Sequence, residues 1–236
     1  MPSGMQIFNS TGQIVADVTS PTLALRNKYT MTIPAGTGLV RSSTMLEVPN
    51  TELPFFAIRP NSANRPTFIL SNVPKVGTPT TRQIIVSTCE PMDFEDQNPP
   101  TVSSQQTSYT VTLYYFDRPQ VSGTYGLQLF DASGNCTFDS AGKFARVFAA
   151  GVGSYNLGGS QIGAVAANLT SRYRIAQVGG VGWREGQYRE YCTVNGSAAV
   201  LAARTMVGYV NLGGSPTAVD RIYGYEGGFV LPVTGY

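Results

Sequence analysis

Histidine is missing altogether from this chain of 236 residues, and lysine occurs only three times, at Lys28, Lys75 and Lys143. Without an imidazole there is no Ser-His-Asp or Cys-His nucleophile, no histidine-ligated zinc and no imidazole acid–base step. A Ser–Lys nucleophile would have to draw on one of three lysines, and none is read as standing in an S-x-x-K arrangement. Charged residues make up 13% of the chain, against about 25% in ordinary globular proteins. That scarcity excludes long charged helices and coiled coils. The formal net charge of +2 is spread along the chain, so the electrostatic term that drives nucleic-acid binding is absent. No apolar run approaches the roughly 18 to 20 residues of a membrane-spanning helix. Residues 1–25 contain neither Lys nor Arg, so no export signal is expected. The three cysteines, Cys89, Cys136 and Cys192, are odd in number and far apart. They read as reduced, buried thiols rather than a disulfide framework or a metal site. If two of them pair, Cys136 and Cys192 are the expected partners.

What the chain has instead is turn and strand chemistry. There are 26 glycines and 15 prolines, with 42% hydrophobic and 11% aromatic residues. This is the composition of a folded, turn-rich, all-β protein, not of a disordered one. Segments 29–33 (YTMTI), 54–59 (PFFAIR), 67–71 (TFILS), 83–89 (QIIVSTC) and 109–116 (YTVTLYYF) are rich in β-branched and aromatic residues. Each is bounded by Pro, Gly, Asn or Asp, which marks strands. Segments 144–149, 173–178, 187–194, 199–211 and 222–231 are the second-half strand candidates. Asn195-Gly196 predicts a hairpin between two of them. The one stretch that competes for a helix, 162–169 (IGAVAANL), is weakened by Gly163.

The chain also repeats itself. Residues 4–17 read GMQIFNSTGQIVAD and residues 126–139 read GLQLFDASGNCTFD. Gly4/Gly126, Gln6/Gln128, Phe8/Phe130, Gly12/Gly134 and Asp17/Asp139 are identical across an offset of 122 residues. Each copy predicts a short hairpin. Alternation gives the strands, Asn9 or Asp131 opens a type I turn, and Gly12 or Gly134 supplies the left-handed residue that closes it. An offset of half the chain points to two tandem β-sandwich domains, 1–118 and 122–236, divided at the Pro-, Ser- and Gly-containing stretch DRPQVSGT. Residues 1–118 hold 12 of the 15 prolines and five glycines, while residues 119–236 hold 21 glycines, nine of 13 tyrosines and the single tryptophan. The first half reads as an attachment domain and the second as an interaction domain.

The doubled G-φ-Q-φ-F-[ND]-x-x-G hairpin, its second copy following an aromatic strand and the segment YYFDRP (114–119), resembles a family of tailed-bacteriophage virion proteins of the tail tip, baseplate or tail fibre. The resemblance rests on 4–17, 114–119 and 125–139. It implies a structural, non-enzymatic protein of the virion tail, assembled in the host cytoplasm without export. Its partners would be other tail proteins, and it would be present in several copies, as a ring or trimer rather than a monomer. The resemblance implies no catalytic residue, no metal and no cofactor. Two other roles fit the same composition: a module that recognises a host-surface glycan or receptor, and a capsid decoration protein.

Three local features carry possible chemistry. Glu90, Asp93, Glu95 and Asp96 cluster in CEPMDFEDQNPP, which reads first as a solvated acidic loop. Calcium ligation or a carboxylate dyad are the alternatives. Gly151-Val152-Gly153 and Gly180-Val181-Gly182 complete no phosphate-binding fingerprint and read as turns. Segment 179–191, GGVGWREGQYREY, combines Trp183, Arg184, Tyr188, Arg189 and Tyr191. Its glycines suit a loop that exposes Trp183, and three uses remain open: filling the second core, docking a protein, or stacking on sugars.

Overall fold

The computed structural model describes residues 6–8, 10, 12, 14–17, 21–37, 42–63, 65, 67–88, 105–121, 123, 125–150, 153–158, 163–166, 171–177, 183–212, 220–221 and 228–236. Among them there is no helix, and twenty strands follow one another. The first half supplies β1 (Gln6–Phe8), β2 (Ile14–Asp17), β3 (Ala24–Ile33), β4 (Gly36–Thr37), β5 (Ser42–Pro49), β6 (Phe55–Pro60), β7 (Thr67–Lys75), β8 (Thr78–Thr88), β9 (Gln105–Gln106) and β10 (Tyr109–Asp117). The second supplies β11 (Gln128–Phe130), β12 (Cys136–Asp139), β13 (Ala149–Ala150), β14 (Gly153–Asn156), β15 (Gly163–Ala166), β16 (Ser171–Gln177), β17 (Trp183–Asn195), β18 (Ala198–Leu212), β19 (Asp220–Arg221) and β20 (Phe229–Pro232).

Two large antiparallel sheets form the body. One has six strands in the order β13-β20-β15-β6-β10-β3. The other runs β14-β18-β17-β7-β8-β5, with β16 added beside β17 and β19 beside β16. Their inner faces meet in one core that joins Ile33, Ile58, Val111 and Leu113 of the first sheet to Ile84, Val86 and Val194 of the second. The result is a β-sandwich-like all-β fold. β10 explains itself by alternation: Tyr109, Val111, Leu113 and Tyr115 enter this core. Tyr114 and Phe116, on the opposite face, enter a second cluster with Ala57, Leu231 and Val233. Thr110 and Thr112 keep the polar alternation at the start of the strand, and from Leu113 on the strand is buried on both faces, so 113–116 reads as a continuous apolar run.

This topology does not confirm the expected division into two tandem sandwiches. Each large sheet takes strands from both sides of 118–122. Val165 of β15 pairs with Ile58 of β6, and Cys192 of β17 pairs with Thr67 of β7. The two halves therefore share one sandwich and one main core. The stretch 162–169 contains a strand, β15, rather than a helix. A Cβ on Gly163 would come within 3.0 Å of Leu157 Cδ1 and 3.2 Å of the Ala199 Cβ. Close packing is therefore what glycine serves there. The Asn195-Gly196 hairpin is present with its turn one residue on. Asn195 still pairs with Ala198, and Gly196, at φ +58°, begins the turn. β5 was not anticipated, since its buried face is carried by Ser42, Thr44, Leu46 and Val48. Cys136 and Cys192 are free and buried. Burial pushes the Cys192 thiol up to about 12.

Candidate functional site

The repeated segments form two further small sheets, each a two-stranded hairpin. In the first, Gln6 lies opposite Asp17, Ile7 opposite Ala16 and Phe8 opposite Ile14. In the second, Gln128 lies opposite Asp139, Leu129 opposite Phe138 and Phe130 opposite Cys136. The registers correspond residue for residue, and each slips once, between Ile7 and Phe8 and between Leu129 and Phe130. Gly12 and Gly134 adopt φ +79° and +82°, a region only glycine enters without a Cβ penalty. Ile7 and Phe144 pack on a cluster of Leu129 and Phe138, so the two copies meet. The Phe138 and Phe144 rings stack with centroids 4.9 Å apart.

The turn of the second hairpin is organised by Asp131. Its backbone N–H donates to the Asn135 carbonyl at 2.9 Å, and the Gly134 N–H donates to the Asp131 carbonyl at 3.0 Å. Its carboxylate accepts the backbone N–H groups of Ser133 at 2.9 Å and Asn135 at 2.8 Å, and the Asn135 side-chain amide at 3.0 Å. These donors, the Asn135 side chain foremost, hold the Asp131 carboxyl below the ordinary carboxylate range. Asn9, its counterpart in the first hairpin, lies outside the described residues.

The segment YYFDRP ties this turn to the sandwich. Arg118 reaches Asp131 at 3.2 Å and Glu52 at 3.4 Å. Its backbone N–H donates to Asp117 Oδ1 at 2.7 Å. The Tyr115 hydroxyl donates to Asp117 Oδ2 at 3.1 Å and lies 2.8 Å from Thr51 Oγ1. Desolvation raises the Tyr115 phenol above its usual range.

The chemistry of the retained positions separates structure from surface. Gly126 adopts φ +111° and Gly134 φ +82°, so both are required by the backbone. Gln128 and Asp139 face each other and hydrogen-bond at 3.3 Å. Phe130 has no such internal reason, for it is 44% exposed. In the residues leading into this strand Tyr125 is 89% exposed, and Leu127 and Val121 are exposed too. Leu129, Cys136 and Phe138 are buried in the second copy, where the first copy carries Ile7, Ile14 and Ala16.

Trp183, Arg184, Tyr188, Arg189 and Tyr191 all fall on β17, so Trp183 opens a strand rather than topping a loop. Trp183 pairs with Gln177 and Leu212, Tyr188 with Arg172 and Met206, and Tyr191 with Ala202. The side chains of these five lie outside the described residues, as does the acidic segment with Glu90, Asp93, Glu95 and Asp96. The chain does contain one S-x-x-K spacing, Ser140 to Lys143, contrary to the expectation that no lysine stands so. The two groups take separate partners: Ser140 Oγ accepts the Leu127 N–H at 2.9 Å, and Lys143 Nζ donates to the Gly235 carbonyl. Lys28 donates to the Tyr236 carbonyl at 2.5 Å, and Lys75 pairs with Glu47 at 2.7 Å. Among the described residues no group of three Cys, Asp or Glu side chains gathers as a metal ligand set. Arg118 and the exposed apolar side chains around Phe130 are what the sequence reading missed. The retained Phe8/Phe130 pair was the signal that could have found that surface. Comparison with protein families, curated proteins and solved structures found no match to this chain.

Proposed function

We propose that the chain is a non-enzymatic structural component of a bacteriophage tail, at the tail tip, baseplate or tail-fibre attachment, and that it works by protein–protein assembly. The observation that carries the assembly reading is the exposure of three large apolar side chains on and just before the second hairpin, Tyr125, Leu127 and Phe130, with Phe at the same register position in the first. Aromatic side chains held on rigid hairpins bury large area at small entropic cost and are enriched at interface centres. The tail assignment is supported by the resemblance of 4–17, 114–119 and 125–139 to tail virion proteins.

Two measurements test the two parts of this reading. Mass spectrometry of separated heads and tails from a phage that encodes the chain should find it in tails. Detection only in heads would make it a decoration protein, and absence from both would overturn the structural role. Purified full-length chain carrying Phe130→Ser and Leu127→Ser should keep its thermal midpoint yet lose association with tail components. Association as strong as that of the parent chain would remove this face from the interface.

A further inference from the structure

A cleft of about 400 Å³ opens where the second hairpin meets the sandwich. Its described lining comes from three places: Ala24, Leu25 and Arg26 at the start of β3, Pro119 to Val121 after β10, and Asp139 to Lys143 after β12. The volume falls within the range of small-ligand sites.

The position of Arg26 follows from the strand register. Phe116 lies opposite Leu25 and Tyr115 opposite Asn27, so Arg26 is the extra residue of a β-bulge, skipped by the ladder. Bulges re-aim a side chain, and they recur beside functional sites. Arg26 lines the cleft, half-buried, and its guanidinium has no hydrogen bond or ion pair among the described residues. Lys143 lines the cleft as well, from the turn after β12. Its ammonium gives one bond to the Gly235 carbonyl and keeps further N–H donors. The one carboxylate of the described lining, Asp139, is 1% exposed and engaged by Gln128 Nε2 at 3.3 Å and the Ala141 N–H at 2.9 Å. It is therefore turned to the hairpin's own donors, and the cationic groups outnumber it. Leu25, Pro119, Val121 and Ala141 supply apolar wall.

We propose that this cleft is a binding site for a carboxylate-bearing ligand, the Arg26 guanidinium taking the carboxylate, Lys143 adding charge, and the apolar wall taking the aliphatic stem. A guanidinium fork matches a carboxylate in bidentate geometry. A phosphate dianion fits less well, because Asp139 adds negative charge to the same wall. The carboxylate has two sources, an acidic side chain on a partner's peptide or a free small acid.

The test titrates the full chain, at low ionic strength, with acetyl-Ala-Glu-Ala-amide, its Gln counterpart, glutarate and inorganic phosphate, read by calorimetry and backbone amide shifts. The expected result is binding of the Glu peptide and of glutarate with shifts at residues 24–26 and 139–143, and none with the Gln peptide. Tighter binding of the Glu peptide than of glutarate assigns a peptide partner, and the reverse assigns a small acid. Arg26→Gln should weaken binding about tenfold or more, and Arg26→Lys by less, since losing a charge-assisted fork leaves only a point charge. Lys143→Gln should weaken it more modestly, and all three variants should keep the parent's thermal midpoint. Equal binding of Glu and Gln peptides, no binding of either carboxylate probe, stronger binding of phosphate, or unchanged affinity in Arg26→Gln would each overturn the proposal.

Discussion

Cutting the chain between residues 118 and 122 discriminates sharply between one shared sandwich and two tandem ones. The cut leaves every strand whole, so two independent domains would survive it. In the shared sandwich it separates β15 from β6 and β17 from β7, and it divides the main core. The fragment 122–236 then exposes Val194, Val230 and Leu231, none of which is more than 2% exposed in the intact chain. At roughly 1.5–3 kcal/mol per large aliphatic side chain returned to water, that loss is about 5–9 kcal/mol, comparable with the whole stability of about 5–15 kcal/mol of a typical domain. The fragment 1–118 loses Leu157, Val194 and Val230 from the core that holds the fully buried Ile58. Each fragment is expected to give a collapsed amide proton spectrum and no cooperative thermal transition, and co-expression of the two should restore both. A dispersed spectrum with two-state unfolding from 122–236 alone would refute the shared core.

The glycines of the second hairpin predict a graded response to alanine. Gly134→Ala puts a Cβ into open space at φ +82°, so it should cost only the left-handed penalty of about 1–2 kcal/mol. Gly126→Ala carries φ +111° and collides with Ser140 Oγ, which accepts the Leu127 N–H. It should cost about 1 kcal/mol more, from the lost hydrogen bond; chemical denaturation measures both, and equal costs would contradict the geometry. Cys192 predicts a pH effect. Burial pushes its thiol up to about 12 in the folded state, from an ordinary cysteine value of 9.0, so between these pH values the folded state holds the proton that the unfolded state has released. That stabilising contribution is complete below pH 9 and is lost progressively as pH rises towards 12. In a chain carrying Cys89→Ala and Cys136→Ala, a disulfide reagent at pH 8 should label Cys192 only on unfolding. Rapid labelling of the native protein would disprove its burial.

Local signals reached the hairpins and most strands because their information is local. The turn chemistry of Asp131 to Asn135 lies within five residues, and Gly134 carries its own φ. The aromatic run 109–116 marks β10 whatever its neighbours are. Strand partnership is a different kind of information. Alternation assigns a side chain to a face but does not name the strand beside it, so nothing in GAVA (163–166) or FAIR (56–59) announces that Val165 will sit beside Ile58. β5 stayed hidden for a related reason: its buried face includes Ser42 and Thr44, residues whose burial depends on what lies across the sandwich. Arg26 was equally invisible, because the bulge that skips it exists only in the pairing of β3 with β10.

The repeat appears in the structure as two hairpins of matching register, and the spacing between them does not by itself divide the chain. A pair of hairpins 122 residues apart need not head two domains if the hairpins pack on each other. Ile7 on the Leu129 and Phe138 cluster shows that they do. Their meeting draws together the starts of the two halves. The backbone bonds from Thr22 N–H to the Thr137 carbonyl and from Leu25 N–H to the Lys143 carbonyl continue that seam into β3. Strands from the proline-rich and glycine-rich halves can then enter the same sheets. The contrast in composition then has a local reading within the shared sheets. Pro49 sits on the terminal strand β5, where a missing N–H costs least. Gly163 sits where a second-half strand must come close to Leu157 and Ala199.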